Sequence, residues 1–255
     1  MSMPLGLDNL LPEGMKIFFY CKATVYNVFY KYEVLTKRCQ DVILYRRSKK
    51  MANTAKLFYQ GHSSFRLTAK DGTVIFIDPF MGKGYDLPAD IILVTHQHAD
   101  HNKVELVTQK KDCVVITNDD ALKGGKHNNF TVKGIQVEAV EASNKNHNPL
   151  ECVGYIINID GVKLYHPGDT SKTTWMETFA KKNLDYALLP CDGLYNMDAK
   201  EAAECAKIIG AKHNIPIHTG PFDEGGPKIF DRKIAESCHF PNMLIVEPGE
   251  EIELI

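Results

Sequence analysis

The sequence lacks features that would each place the chain in a familiar class of protein. Neither sign of charge dominates: 30 Lys and Arg stand against 32 Asp and Glu, so the net charge of -2 gives no overall attraction to nucleic acid or to an anionic membrane. The nearest candidate for a signal peptide, Ile17 to Tyr30, is interrupted by Lys22 and Asn27 and is too short to cross a bilayer. We therefore expect no membrane partner and do not expect nucleic acid to be the main ligand.

Paired cysteine motifs are also missing. The seven cysteines are scattered along the chain without a C-x-x-C pair. An odd, unpatterned number of cysteines is typical of reduced thiols, and a chain of 255 residues can bury a core that needs no disulfides. The sequence therefore predicts a cytoplasmic protein.

Two common catalytic motifs are absent. The chain contains neither G-x-S-x-G, the turn that presents a nucleophilic serine, nor G-x-x-x-x-G-K-[ST], the loop that binds the phosphates of a nucleotide. Gly61–Ser64 matches the first motif only in part, and Gly124-Gly125 is predicted to be a turn. These absences exclude a serine hydrolase of that type and a nucleotide-binding P-loop enzyme.

The most informative segment that is present is Thr95–His101, which contains three histidines and an aspartate. It follows the apolar run Ile91–Val94, which predicts a buried strand. His96 and His98 alternate, so in an extended chain their side chains leave the same face. Imidazole binds zinc, iron and nickel, and an added carboxylate suits a hydrolytic ion such as zinc or manganese. The segment therefore predicts a metal site rather than a solvated loop.

With H-x-H-x-D-H after a buried strand, the chain resembles the metallo-β-lactamase superfamily, which has this signature. Further matches are Ile77-Asp78-Pro79 at the end of an earlier strand, His147, Tyr165–Thr170 and Ile215–Thr219. The Gly61–Phe65 start and the H-x-G-D-T form resemble the branch that contains ascorbate-6-phosphate lactonase. The resemblance runs from about Lys56 to the C-terminus.

The resemblance implies a centre of two divalent metal ions, Zn²⁺ in the first place and Mn²⁺ or Fe²⁺ as alternatives. It assigns His96, His98 and His147 to the first ion, Asp100, His101 and His218 to the second, and Asp169 to a bridge between them. Such ions lower the pKa of a bound water towards neutrality, so that hydrolysis needs no separate general base. Asp100, Asp169 and His62 are the predicted catalytic residues.

Several of these positions keep an alternative interpretation. His147 lies in a polar loop and could be an ordinary surface histidine, while Asp169 could cap a helix. We expect Asp78 to accept an N–H from a histidine of the metal loop, although an Asp-Pro turn explains it equally. His62 and His166 are either acids that face the substrate or structural histidines, and the branch motif favours the first role for His62.

The fold expected from the resemblance is of the α/β class, a four-layer αββα sandwich. Apolar runs predict strands in two groups, each followed by helices. We predict helices over Lys103–Lys111 and Ser171–Lys182, and a third over Ala199–Ile209. For the last one, Asp198 with Glu201 resembles a capping box and Gly210 a C-terminal cap.

Residues 1–50 differ in composition from residues 51–255, the predicted hydrolase domain. They contain nine Lys and Arg against four Asp and Glu, and eight aromatic residues. One interpretation is an accessory arm that contacts nucleic acid or a protein partner. The other, which we favour, is an over-extended reading frame with the natural start at Met51.

We therefore expect a dinuclear metal-dependent hydrolase that acts on a small molecule, either a lactone or a phosphate ester or diester. The alternatives are a metal-dependent nuclease and a non-catalytic sensor that uses the same metal site. The sequence leaves the native substrate and self-association into a homo-oligomer open.

Overall fold

The computed structural model describes residues 54–220 and 228–255, and in addition the backbone of four short strands. Residues 1–50 and 51–255 form two separate compact units. The described part of the first unit is one antiparallel pair of strands, β1 (Glu33–Leu35) and β2 (Val42–Leu44). The alternative interpretations of residues 1–50 concern side chains that lie outside the described residues.

The second unit contains two mixed six-stranded sheets. The first sheet has the order β16-β3-β4-β5-β6-β7, in which β3, β4 and β5 are antiparallel and β6 and β7 run parallel to β5. Its strands are β3 (Lys56–Gly61), β4 (Ser64–Thr68), β5 (Val74–Ile77), β6 (Ala89–Leu93), β7 (Gln109–Ile116) and β16 (Glu251–Glu253). Every residue of β5 and β6 is buried, as the continuous apolar runs predict.

The second sheet has the order β13-β12-β11-β10-β9-β8, with β11, β12 and β13 parallel and the other pairs antiparallel. Its strands are β8 (Asn129–Val132), β9 (Ile135–Glu141), β10 (Val153–Ile159), β11 (Val162–His166), β12 (Tyr186–Pro190) and β13 (His213–Ile217). A small separate pair follows, β14 (Phe222–Asp223) and β15 (Gly226–Pro227).

The inner faces of the two sheets form one hydrophobic core. Alternate residues of each strand point into it, and it contains Leu57, Leu67, Ile75 and Ile91 from the first sheet and Val137, Val153, Ile157, Leu188 and Ile215 from the second. Each such side chain contributes roughly 1.5–3 kcal/mol when it is fully buried. The core therefore holds the two sheets face to face, as in the predicted sandwich.

The described residues contain few α-helices: α1 (Asn118–Ala121), α2 (Met176–Phe179), α3 (Ala199–Ile209) and α4 (Arg232–Ser237). The predicted helix α3 is confirmed, with Asp198 accepting the N–H of Glu201 at 2.8 Å and Gly210 at a φ of 67°. Helices α2 and α3 pack on the outer face of the second sheet. No helix in the described part of the chain is both long and apolar enough to cross a membrane.

The predicted helix over Lys103–Lys111 is wrong. A single 3₁₀ turn, Val104–Leu106, is followed by strand β7, which pairs with β6. The buried carboxylate of Asp90 binds the ammonium groups of Lys110 and Lys133, and this contact holds the start of β7 in the sheet. Tertiary pairing therefore overrides the local helical pattern.

The predicted helix over Ser171–Lys182 is shorter than expected. Only Met176–Phe179 is α-helical, and a 3₁₀ turn completes the segment. At its start, Ser171 N–H donates to the carbonyl of Ser143 at 2.9 Å, and the Thr170 hydroxyl donates to the same carbonyl. These contacts draw the first residues towards the β9–β10 loop and away from helical geometry.

We propose that residues 51–255 fold without residues 1–50, because the residues that form the described core lie between Ala55 and Leu254. A chain that starts at Met51 should keep its melting temperature to within a few degrees and retain its metal content. Thermal unfolding and elemental analysis of both chains would check this. A large loss of melting temperature would show that the first segment covers part of the core.

Candidate metal centre

One edge of the sandwich collects the carboxyl ends of strands from both sheets. Strands β5 and β6 are parallel and end there. Strand β3 runs in the same direction as β5, because β4 lies between them and is antiparallel to both. In the second sheet the parallel strands β11, β12 and β13 end at one edge. Strand β9 also ends there, because β10 lies between β9 and β11 and is antiparallel to both. The loops after these strands carry the predicted site residues.

All seven predicted ligands lie together at this edge. The side chains of His96, His98 and His147 form one group that could hold an ion, with ligand atoms within 4.8 Å of one another. Asp100, His101 and His218 form a second group, which His62 joins. Apart from His62, these two groups contain the residues that the resemblance assigns to the two ions, and a third group joins His96, His101 and Asp169 across them.

Asp169 lies between the two groups. Its Oδ1 is 3.3 Å from His101 Nε2, and its Oδ2 is 3.4 Å from His147 Nε2 and 3.5 Å from His218 Nε2. Because the two oxygens of this carboxylate together lie within 3.5 Å of imidazole nitrogens from both groups, Asp169 has the position that a bridging ligand needs. The geometry does not support the alternative of helix capping, since no helix begins next to Asp169.

The hydrogen bonds of the imidazoles leave nitrogen lone pairs directed at the cluster. The Nδ1 of His101 lies 2.8 Å from Asp78 Oδ2, and that of His147 lies 2.8 Å from Asn144 Oδ1. The Nδ1 of His218 lies 3.0 Å from Asp192 Oδ2, an ion-pair contact. When Nδ1 carries the proton and donates it to such an oxygen, Nε2 is unprotonated and can bind a metal ion.

Several buried atoms of the cluster have no hydrogen-bond partner among the described residues: Nε2 of His96, His101 and His218, and Oδ1 of Asp169. Buried polar atoms normally have a hydrogen-bond partner. Unsatisfied lone pairs that lie close together therefore indicate a site for a cation. Imidazole nitrogens with carboxylate oxygens are a donor set that suits a divalent metal ion. The residues therefore fit the metal that the sequence predicts.

Asp78 connects the end of β5 with the metal loop. Its carboxylate accepts the N–H and the hydroxyl of Thr95 at 2.8 and 2.7 Å, besides the contact with His101 described above. Its φ is 45°, and His62 and His218 also have positive φ, at 58° and 47°. Such backbone conformations cost about 1–3 kcal/mol and gather at functional sites.

Gly168 allows the two sheets to approach each other beside Asp169. Its φ is 63°, and a Cβ at this position would lie 2.7 Å from the carbonyl oxygen of Val153 and 2.9 Å from Cβ of Thr95. Thr95 follows a strand of the first sheet and Val153 begins β10 of the second. Only glycine permits this contact without a shift of backbone.

Asp192 is a site residue that sequence reasoning missed. Its Oδ2 lies against His218, and its Oδ1 accepts the N–H groups of Leu194 and Tyr195 at 2.7 and 2.6 Å. The signal in the sequence was a carboxylate three residues after the predicted buried strand that ends at Leu189, but no motif marked it. Asp192 thus couples a predicted ligand to the loop beside the site.

We predict that Asp192→Asn weakens metal binding by about 10–100-fold, the usual effect of losing an outer carboxylate partner of a histidine ligand. The amide keeps the shape of the side chain but removes its charge. Competition with a chelator of known affinity would measure the change. Asp112→Asn is the matched control, because that carboxylate is 72% exposed on β7. Equal affinities in both variants would contradict the role of Asp192.

His62 contacts the cluster through Asp100. The side chain is fully buried, and its Nε2 lies 3.2 Å from Asp100 Oδ2. Its ring packs on that of His218, with centroids 3.7 Å apart, and its carbonyl accepts the N–H of His218 at 2.9 Å. This position favours a role in holding Asp100 and His218 over the direct contact with substrate that the motif suggested.

His166 has the position of a structural histidine. It is fully buried, its Nε2 lies 2.8 Å from the carbonyl oxygen of Ser63, and its Nδ1 accepts the N–H of Gly168. Burial lowers the pKa of this imidazole, so it is neutral and uses both nitrogens in these bonds. His166 thus joins the end of β11 to the turn between β3 and β4.

The carboxylates of the centre are ionised in spite of their burial. Burial alone would raise the pKa of Asp169, but the imidazole groups of His218 and His101 lower it to below the usual range. Burial also opposes ionisation of Asp100, where the hydrogen bond from His62 lowers the pKa. The centre therefore presents negative charge to a cation.

The histidines differ in their affinity for protons. Burial lowers the pKa of His96 to about 3 and that of His62 to about 4. Burial would also lower the pKa of His101, but the nearby carboxylates of Asp169 and Asp78 raise it to about 9 when no cation compensates their charge. A metal ion must therefore displace a proton from His101 near neutral pH.

A cavity of about 320 Å³ opens over the cluster, and we call it the metal cavity. Its walls are formed by His98, Asp100, Asn146, His147, Asp169, Tyr195 and His218. Asn144 and Asn146 donate to the carbonyl of Tyr195 at 3.0 and 3.2 Å, which ties together the two loops at the rim. Another concavity, of about 360 Å³, lies over β8–β10, and none of the described residues in its walls is a histidine.

Comparisons with known proteins agree with this geometry. The family described as the beta-lactamase superfamily domain matches residues 56–218. A UPF0173 metal-dependent hydrolase of Thermococcus kodakarensis is 30% identical over 227 residues, which cover 78% of this chain and 99% of the relative.

Solved structures share the fold. Igni18, a metallo hydrolase from Ignicoccus hospitalis, superposes with a TM-score of 0.61 at 23% identity, over 78% of this chain and 98% of the other. The metallo-β-lactamase fold protein YhfI from Bacillus subtilis gives a TM-score of 0.57 at 16% identity, over 79% and 100%. The sandwich of the metallo-β-lactamase type is thereby confirmed, and the chain belongs to the β-lactamase superfamily and, within it, to the UPF0173 metal-dependent hydrolases.

Proposed function

We propose that this protein binds two divalent metal ions, in the first place Zn²⁺, and uses them to hydrolyse a small lactone or phosphate ester or diester. The observation that carries the proposal is the convergence of seven ligand side chains in two groups with Asp169 between them. Mn²⁺ and Fe²⁺ are the alternative ions for the same nitrogen and oxygen donors. The lactonase-like branch is supported by the Gly61–Phe65 and His166–Thr170 motifs.

The donor set supports two ions rather than one. His96, His98 and His147 supply three imidazoles on one side of Asp169, and Asp100, His101 and His218 supply a mixed set on the other. When bound, such ions supply Lewis-acid chemistry and a nucleophile derived from water at neutral pH. The protein's own residues need only bind, orient and partly desolvate the substrate.

The loops around the metal cavity perform this orienting role. Asp78 fixes the loop after β6 through Thr95 and His101, and Asp192 fixes the loop that carries Tyr195. Because these carboxylates are held by several hydrogen bonds each, the groups that they position lose little freedom when a substrate binds.

The size and the surroundings of the site support a small-molecule substrate in a cytoplasmic enzyme. A cavity of about 320 Å³ accommodates a compound of metabolite size. None of the described residues in the walls of this cavity is a Lys or Arg, the residues that would bind the backbone of a nucleic acid. The free thiols among the described cysteines support a reducing compartment.

Elemental analysis of the purified protein, combined with a panel of esters, lactones and phosphate esters, tests the proposal. We expect two equivalents of metal per chain and hydrolysis that a chelator abolishes and added Zn²⁺ restores. A panel without any hydrolysis at full metal loading would instead favour the non-catalytic sensor. One equivalent of metal would contradict the dinuclear centre.

A further inference from the structure

The two groups of predicted ligands differ in the residues that stand behind them. We call His96, His98 and His147 the first group, and Asp100, His101 and His218 the second group. Asp169 contacts both groups, so a difference in their affinity for a cation must arise from the other contacts of each group. These other contacts are charged around the second group and neutral around the first.

Buried carboxylates support the second group. Asp78 Oδ2 lies 2.8 Å from Nδ1 of His101, and Asp192 Oδ2 lies 3.0 Å from Nδ1 of His218. The side chains of these two aspartates are at most 1% exposed. Asp100, the third member of the group, is itself a carboxylate. A cation in the second group therefore lies near three negative charges besides that of the shared aspartate, and burial keeps water from screening the attraction.

Neutral partners support the first group. His147 Nδ1 lies 2.8 Å from the amide oxygen of Asn144, and His96 Nδ1 lies 3.1 Å from the hydroxyl of Thr95. His98 is exposed, and its ring makes no hydrogen bond with a described residue other than His147, at 3.2 Å. An amide or a hydroxyl orients an imidazole but adds no negative charge behind it. The first group therefore attracts a cation less strongly than the second.

The first group also faces solvent. His98 lines the metal cavity and a neighbouring cavity of about 250 Å³, which His96 and His147 line as well. Asp119 and Glu151 contribute carboxylates to the neighbouring cavity, and both residues are exposed. Water and salt screen exposed charges, so these two carboxylates do not replace the buried ones that the second group has. A cation in the first group can therefore exchange with solvent on the side of His98.

We propose that the second group binds its ion more tightly than the first group, so that the two groups fill in order and the first group exchanges its ion with solvent. The inference rests on the proposed function and concerns its regulation. Hydrolysis needs both groups filled, so the concentration of free metal controls activity through the first group. One outer carboxylate partner changes metal affinity by about 10–100-fold, so two of them should separate the dissociation constants of the groups by at least about 100-fold.

The first arm of the test measures metal binding without turnover. The metal-free full-length protein is titrated with Zn²⁺ in competition with a chromogenic chelator of known affinity. We expect two steps of one equivalent each, with dissociation constants at least about 100-fold apart. When free Zn²⁺ is buffered between these two constants, elemental analysis should find one equivalent per chain. Hydrolysis should follow the weaker step.

The second arm assigns each step to a group. His98→Ala should remove the weak step and leave the tight step unchanged, whereas Asp192→Asn should weaken the tight step by about 10–100-fold. Co²⁺ gives an independent readout, because its absorption spectrum depends on its ligands. The spectrum of the first equivalent of Co²⁺ should be the same in His98→Ala as in the wild type. His213→Ala is the matched control, because that histidine stacks on Tyr186 away from the centre.

The outcomes separate the two proposals. If the protein binds only one equivalent at saturating Zn²⁺, or hydrolyses its substrate fully with one equivalent, the proposed dinuclear function fails. If two equivalents bind with equal affinity, the dinuclear centre stands and the inference about its order of filling is overturned. The same holds if the tight step is lost in His98→Ala or is unchanged in Asp192→Asn. A tight step that survives in His98→Ala and weakens in Asp192→Asn supports both proposals.

Discussion

Asp169→Ala should abolish hydrolysis and deprive the protein of at least one of the two metal ions that we propose. The carboxylate lies within 3.5 Å of imidazole nitrogens from both groups of ligands, so its removal leaves each group without the shared anionic donor. Loss of an outer partner weakens a metal site by about 10–100-fold. We expect the loss of a ligand common to both ions to exceed that range in kcat/KM.

Asp169→Asn distinguishes the charge of this residue from its shape. The amide keeps one oxygen as a weak ligand, so metal content should lie between those of the wild type and Asp169→Ala, while turnover should fall almost as far. Elemental analysis and kcat/KM on the same preparations would measure both effects. Asp112→Ala is the control, because this carboxylate is 72% exposed and lies on β7. Full metal content in Asp169→Ala would refute a bridging role.

The metal loop could be predicted from sequence because its information is local. A buried strand followed by His96, His98, Asp100 and His101 fixes both the place and the chemistry of the ligands within a few residues. Helix α3 was predictable for the same reason, since its two caps are adjacent in sequence to the apolar face. The more distant ligands needed the family resemblance to be placed.

The supporting contacts could not be predicted because they join residues that are far apart in the chain. Asp192 meets His218 only when β12 and β13 lie side by side, and His62 meets Asp100 only after the first sheet has formed. A carboxylate after a strand has no signature of its own. The error in β7 has the same origin, because pairing with β6 decided a segment whose local pattern favoured a helix.

Removal of the metal ions should lower the melting temperature, and the loss should be larger at pH 8.5 than at pH 6.5. In the metal-free protein the pKa of His101 is raised from 6.5 to about 9. Between these values the folded protein holds a proton that the unfolded chain has lost, so stability falls as the pH rises. Below pH 6.5 the lowered pKa values of His96 and His62 have the opposite effect, and stability falls as the pH drops.

In the metal-loaded protein the fall in stability with rising pH should largely cancel between pH 6.5 and 9, because the bound ion leaves His101 unprotonated, as it is in the unfolded chain. An ion binds neutral imidazole, so the proton on His101 competes with it, and metal affinity rises until that proton is lost. Binding at a free metal concentration of about a thousand times Kd adds about 4 kcal/mol, which is on the order of 10 °C for a domain of this size. The difference in melting temperature between the metal-loaded and the metal-free protein, which we call the gap, should therefore widen as the pH rises.

Thermal unfolding at pH 6.5, 7.5 and 8.5, with the metal concentration buffered or with excess chelator, would measure the gap. His101→Gln should lose part of this dependence on pH, because one competing proton is gone while His218, whose pKa is raised by Asp169 in spite of its burial, keeps another. His213→Ala is the control, because that histidine stacks on Tyr186 at the start of β13, at the end of the sheet opposite the centre. A gap that stays constant in the wild type would mean that no proton leaves when the ion binds, and His101 would then not be a ligand. A gap that widens equally in the wild type and in His213→Ala but less in His101→Gln would place the ion on His101, because only this variant lacks the proton of that imidazole.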